Sequence, residues 1–419
     1  MTARRNQRRL AAGALAGALL ASGGAAQAKT TTYVDLEAAL GFSSNPLLRL
    51  DSQSSAFGRV SASGLHSWGS ERGTTTLTGY VENTSYLRDY GSKQIFQLGA
   101  QTSQSISPTV TLFGNLGFDG DFAGQLSNRL FAVPSQPVVL EPGNPAPPVV
   151  NPLPPTNFNP DVFGFSGRQY RLDGSVGASI RSGARATISL SAGAQRTWFT
   201  GGNSDADYNS YFASAGYSRQ ISERTSGGVS LAVQHQDFSH GGTANILNPA
   251  LTLHSQLSET VNVDAAVGIL AIEQQTDGHS DHSVTPSFSG SICSDGTNSR
   301  WCAHVSRDAQ SSLNARVLNG SGQAAITTTA SADYYRRLSA NETLQASLSA
   351  VRYANPSGFN GNDLSTTYLS AVAGYDRKVG NRIYAGVSGG ARKLFQFGPD
   401  PKLDFNANVY VRYRLGDLL

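Results

Sequence analysis

Lys402-Leu403-Asp404-Phe405-Asn406-Ala407-Asn408-Val409-Tyr410-Val411-Arg412-Tyr413-Arg414-Leu415 decides the fold. Every second residue from Leu403 is apolar: Leu403, Phe405, Ala407, Val409, Val411, Tyr413 and Leu415. The residues between them, Asp404, Asn406, Asn408, Tyr410, Arg412 and Arg414, are polar with one tyrosine. Side chains alternate faces along a strand, so this run is greasy on one side and wet and charged on the other. It is long for a soluble strand, and a tilted strand crosses a membrane in about 9–11 residues. A terminal amphipathic strand of this kind predicts an outer-membrane barrel.

The same alternation runs back through the chain. Val34, Leu36, Ala38, Leu40 and Phe42 share a face, as do Val110, Leu112, Leu116 and Phe118. Ile188, Leu190, Ala192 and Ala194 follow, then Val261 to Ala271 and Leu344 to Ala350, each at period two. Short turns recur at Ile106–Thr109, Ile180–Gly183, Ile221–Arg224, Leu257–Thr260, Leu338–Asn341 and Val379–Arg382, with a related one near Trp68 to Gly73. Several lie roughly 40 residues apart, the length of two strands, one short turn and one longer loop. Helical periodicity is nowhere sustained past the leader. The count predicts an all-β transmembrane antiparallel barrel of about 18 strands (16–18), a single domain over 29–419, with no room left for a plug or a passenger. The even count puts both ends of the barrel in the periplasm, with short turns there and long loops outside.

Composition agrees. Hydrophobic residues make up only 39% of the chain, glycine is abundant at 45, and the sole methionine is Met1. A barrel needs one apolar face per strand because its lumen is polar. No apolar run after the leader reaches the ~20 residues of a membrane helix. Residues 1–28 read as a secretory signal: Arg4, Arg5, Arg8 and Arg9, an apolar stretch from Leu10 to Ala21, then Ala26-Gln27-Ala28. The chain carries 32 Lys+Arg and 29 Asp+Glu; without the four leader arginines the balance is 28 against 29, a net −1. The basic character belongs to targeting, and nucleic acid is not an implied partner.

Residues 119–168 hold Pro134, Pro137, Pro142, Pro145, Pro147, Pro148, Pro152, Pro154, Pro155 and Pro160. Proline cannot donate to a ladder, so the stretch reads as a long extracellular loop, exposed or folded inward as a constriction. Cys293 and Cys302 flank Asp295-Gly296-Thr297-Asn298, a hairpin turn. In an oxidising periplasm that placement predicts a disulfide rather than a metal pair.

Gly41-Phe42-Ser43-Ser44-Asn45-Pro46-Leu47-Leu48-Arg49 closes the first strand. This motif resembles the opening of the outer-membrane β-barrel porins associated with exopolysaccharide gene clusters. That family often has acids where Ser43 and Ser44 stand here. The resemblance implies a pore in the outer membrane, surrounded by its lipid, serving polysaccharide export with periplasmic machinery as partner. It carries over no catalytic residue and no cofactor.

On the face opposite the lipid, the last strands aim Asp333, Tyr335, Arg337, Tyr368, Asp376, Arg382, Tyr384, Arg392, Asp404, Tyr410, Arg412 and Arg414 at the lumen. Charges there set ion preference, and inward tyrosines can stack on sugar rings or simply fill space. Arg337, Arg382, Arg412 and Arg414 all lie near short turns and read as a basic arc at the inner mouth, partly offset by Asp376. The only histidine cluster, His279-Ser280-Asp281-His282, reads as part of an outer loop, where it could hold a metal or simply be solvated. No glycine-rich phosphate loop opens a helix and no serine stands in a strand–turn–helix elbow, so a non-enzyme is expected. A non-conducting scaffold barrel and, further off, a barrel enzyme are the alternatives to a pore.

Overall fold

The computed structural model describes residues 29–416 except 49, 89, 124–167, 201–206, 240–241, 277–278, 313–322, 355–364 and 396–401. Residues 1–28, expected to be a secretory signal, and most of the Pro-rich segment lie outside the described residues. Eighteen strands follow one another: β1 (Lys29–Ser43), β2 (Ser55–Ser70), β3 (Gly73–Tyr86), β4 (Ser92–Ser107), β5 (Val110–Ala123), β6 (Arg168–Arg181), β7 (Ala186–Thr200), β8 (Tyr208–Gln220) and β9 (Thr225–Phe238), then β10 (Gly242–Gln256), β11 (Val261–Thr276), β12 (His279–Asp295), β13 (Ser299–Ser312), β14 (Gln323–Ser339), β15 (Glu342–Ala354), β16 (Ser365–Lys378), β17 (Ile383–Phe395) and β18 (Asp404–Gly416). Each pairs antiparallel with the next, and β18 returns to β1, so the sheet closes on itself. The expected barrel of about 18 strands is the observed fold.

The alternation in β18 becomes geometry at the closing seam. Val34↔Leu415, Leu36↔Tyr413, Ala38↔Val411 and Leu40↔Val409 share the outer face. Leu40, Val409 and Val411 are more than half exposed there, 71%, 57% and 54%, because lipid is their solvent. Asp35↔Arg414, Glu37↔Arg412 and Gly41↔Asn408 share the inner face. A one-residue slip would exchange these faces, so the seam has one workable register. An even-stranded closed barrel with an apolar outer face is an outer-membrane architecture, and the protein resides in the bacterial outer membrane. Among the described residues, no helix is long and apolar enough to cross a membrane.

An aromatic band marks the outer rim, on the same face as Leu98 and Leu172. Phe96 and Phe118 have ring centres 4.9 Å apart, Phe118 and Trp198 6.1 Å, and Tyr170 and Trp198 5.6 Å. Such rings sit where apolar lipid meets polar headgroups.

Two expectations need correction. The long loop does not span 119–168: Asp119 and Gly120 still pair with Arg171 and Tyr170, β5 runs to Ala123, and β6 begins at Arg168. An Asp119–Arg171 ion pair of 2.8 Å ties the strand ends together inside the stretch expected to be loop. His279-Ser280-Asp281-His282 lies in no loop; it opens β12 and pairs with β11 through Glu273↔His282 and Gln274↔Asp281. No group of three or more metal-ligating side chains occurs among the described residues.

Candidate functional site

The inner wall is unequal around its circumference. From β16 through β18 and on to β3 it is built of charges and tyrosines packed against one another. Arg414 grips Asp35 with two parallel bonds, Nε to Oδ1 and Nη2 to Oδ2, each 2.7 Å. Arg412 on β18 donates to Asp376 on β16, across the intervening β17. The Arg412 guanidinium lies 4.8 Å from the Tyr384 ring centre, and that of Arg414 lies 4.4 Å from Tyr33. Towards β3 the pattern continues with Arg59 Nη2 2.5 Å from Glu37 Oε1, and with Tyr80 Oη donating to Glu82 at 2.5 Å.

A second node stands at the outer end of the same wall. Asp404, fully buried, accepts from Arg392 Nε at 2.9 Å and Nη2 at 2.6 Å, from Ser43 Oγ at 2.7 Å and from the Asn45 amide at 2.8 Å. Asn45 also donates from Nδ2 to the Lys402 carbonyl at 2.9 Å. These bonds draw the Ser44–Leu48 segment over the wall, where Leu48 packs against Tyr368 and Leu394. Leu48 has φ of 46°, an uncommon conformation for a leucine, held by that burial. The described part of the motif, Gly41–Leu48, is therefore a latch between β1 and β18. Gly41 is glycine because the Phe57 ring crosses its inner face: a Cβ there would come within 2.4 Å of Cζ.

Several other stretches of the lumen face carry hydroxyls in cross-strand pairs. Ser191 and Ser214 lie 2.7 Å apart, Ser306 and Thr329 2.5 Å, and Ser349 and Ser370 3.0 Å. Such pairs knit neighbouring strands while leaving a neutral, hydrated surface.

Of the residues expected at the lumen, the structure gathers two sets. Asp376, Tyr384, Arg412 and Arg414 meet at the inner end, with Tyr410 covering Gly386 nearby. Arg392, Asp404 and Tyr368 belong to the outer node. Tyr335, Arg337 and Asp333 lie on the lumen side of β14, away from both sets, and Arg382 stands in the β16–β17 turn. The basic arc does not form. Arg412 and Arg414 are paired with acids and only 6% and 5% exposed, so neither presents free positive charge to the pore. Asp35, Glu37, Tyr33, Arg59 and Glu82 were not anticipated. Their signal was available, since the residues between Val34, Leu36 and Ala38 must face inward; the partner each would meet needed the register. Cys293 and Cys302 stand directly opposite one another, Cα–Cα 4.1 Å, and are joined as a disulfide beside the β12–β13 turn.

No family model matches the chain, and no curated protein matches it. Among solved structures, it is similar to OccK9 (OpdG) of Pseudomonas aeruginosa at 11% identity and a TM-score of 0.45, covering 93% of this chain and 99% of that one. OpdQ of Pseudomonas aeruginosa is similar at 10% identity and 0.41, over 92% and 98%. OccAB3 of Acinetobacter baumannii is similar at 8% and 0.42, over 92% and 100%. Likenesses of this size carry no argument about function.

Proposed function

We propose that the barrel is an outer-membrane pore for passive passage, with an export route for a polysaccharide as its specialised form. The observation that carries the pore is the two-sidedness of the wall. Apolar residues face lipid on every strand, while over most of the wall hydroxyls, amides and balanced ion pairs face inward, a surface that water can wet. The polysaccharide reading rests on the resemblance of Gly41–Arg49 and on inward, half-buried Tyr80, Tyr384 and Tyr410, which stand beside Arg–carboxylate pairs along one wall. Aromatic faces flanked by hydrogen-bonding groups suit sugar rings, whose faces are apolar and whose edges are polar. Periplasmic export machinery would then dock at the short turns. A non-conducting scaffold is the second reading, favoured by how completely the inner and outer nodes are packed.

The test is conductance of the purified protein in planar bilayers, with liposome swelling in neutral oligosaccharides as the second measurement. Defined single-channel steps are expected, with weak ion preference because the inner-mouth arginines are neutralised. Absence of any conductance in correctly folded protein would transfer the reading to the scaffold.

A further inference from the structure

The wall is incomplete between β12 and β13. Their ladder runs only from Asp295↔Arg300 to Phe288↔Arg307 and then stops, although β12 continues to His279 and β13 to Ser312. Pro286, without an N–H to give a ladder, lies just past the stop. Above it, β13 and β14 leave the wall and pass behind β12, so that β14 touches β11 and β10.

Side-chain parity makes the displacement plain. Ala309, Ala324 and Ile326 occupy positions that in a regular wall would face lipid, in step with Val305 on β13 and Tyr334 on β14. They are instead buried in one cluster with Ile246, Leu270 and Ile272, which face the lumen from β10 and β11. Those two sets can meet only if the β13–β14 ends lie inside the barrel. Ala324, Ala325, Ile326 and Thr327 are buried in succession, so both faces of this strand are covered. Ala325 packs on Val351 and Tyr353 from the other side, and Gln274 Nε2 donates to the Ala324 carbonyl at 3.3 Å.

An apolar patch on a lumen wall is out of place in a water-filled pore, and here the chain covers it with its own segment. The cover is imperfect. Gln236, register partner of Ala244 in this cluster, is fully buried with neither amide atom hydrogen-bonded, and Ser283 Oγ and Thr327 Oγ1 are likewise buried without partners. Each such group carries a desolvation penalty. A molecule with an apolar body and a hydrogen-bonding group would satisfy the patch better than Ala309, Ala324 and Ile326 do.

We propose that the Ile246–Leu270–Ile272 face, with Gln236 at its edge, is a binding site for an amphipathic solute. In this structure the chain's own β13–β14 ends occupy it. A solute that takes the site displaces those ends, and β13 then zips onto β12 by continuing the existing register, bringing Ser287 to Asp308 and Thr285 to Gln310. Zipping closes the wall, satisfies the β12 edge and withdraws the inner obstruction. Two arrangements of one segment, biased by a ligand that prefers one of them, make a population switch. The inference rests on the pore reading only for how the solute arrives.

The experiment uses the whole protein in lipid nanodiscs carrying Thr285→Cys and Gln310→Cys, with 2-naphthol as the probe and glucose as the polar control. The new cross-link, assigned by peptide mapping against the native Cys293–Cys302 bond, reports the zipped wall. Cross-linking about tenfold faster with 2-naphthol and unchanged with glucose is expected. Adding Ile272→Ser should raise the rate without probe, by weakening the cover, and abolish the response to it. Cross-linking that never occurs, or that proceeds at one rate with and without 2-naphthol, would overturn the proposal. Because the readout is covalent, a barrel that responds yet never conducts retains the site and loses the pore, while one that conducts without responding does the reverse.

Discussion

The β18–β1 seam and the β12–β13 seam join strands of similar length and end in different states. The first is paired from Tyr33↔Gly416 to Ser43↔Asn406, and its inner face is stitched at both ends, by Asp35–Arg414 at the short-turn end and by Asp404 with Ser43 and Asn45 at the other. The second is paired only in the half beside its turn, where the Cys293–Cys302 bond also sits. The difference teaches where a barrel spends its polar side chains. A closing seam must be found by strands far apart in sequence, and oriented ion pairs give it one register. The inner seam is a local hairpin whose lower end is set by its turn, so nothing forces its upper end to stay zipped.

The largest effect is expected from unpairing the closed seam. Asp35→Ala leaves the Arg414 guanidinium buried and alone, which typically costs about 3–5 kcal/mol. Equilibrium unfolding in urea measures it, and the charge swap Asp35→Arg with Arg414→Asp should recover much of the loss. Failure of Asp35→Ala to lower stability would mean that the pair does not hold the seam.

Next in size is a charge placed on the outer face of each seam. Val411→Arg sits within the apolar band and should cost about 2–4 kcal/mol, while Val284→Arg, beside the polar outer rim at an unpaired edge, should cost about 0–1 kcal/mol. Equal folding yields for the two variants in bilayers would erase the contrast. Removing the disulfide with Cys293→Ala and Cys302→Ala closes a smaller comparison. The loop it encloses is short, so a loss of about 2–3 kcal/mol is expected on the chain-entropy account. Unfolding under non-reducing conditions checks it, and two free thiols in the denatured wild type would remove the premise. The smallest effect is dynamic: amides of 280–287 should exchange with deuterium faster than those of 34–42, since only the latter are paired on both sides.

Most of the barrel was legible. Strand existence, the inward and outward faces, the short turns and the count all follow from period-two alternation, because lipid on one side and water on the other impose opposite demands on adjacent residues. Where polar residues appeared on both faces the reading failed. His279-Ser280-Asp281-His282 looked like a loop because nothing apolar marked its outer side, yet β11 offered a complete edge and the segment paired with it. The lumen was legible as a list of residues and illegible as a site. Arg412 and Arg414 read as exposed cations because their neighbours on β18 are known from sequence, whereas Asp35 lies at the other end of the chain.

By itself the sequence determined that this chain is a barrel with a greasy outside and a polar inside, since alternation is a local property of each strand. Only the tertiary structure decided which charges cancel, which segment latches the mouth, and that the β13–β14 ends turn inward onto Ile246, Leu270 and Ile272. Those outcomes depend on distances between strands that sequence order separates. A buried guanidinium is neutralised by whichever carboxylate the register brings to it, and an apolar patch inside a wet lumen is covered by whatever apolar segment can reach it.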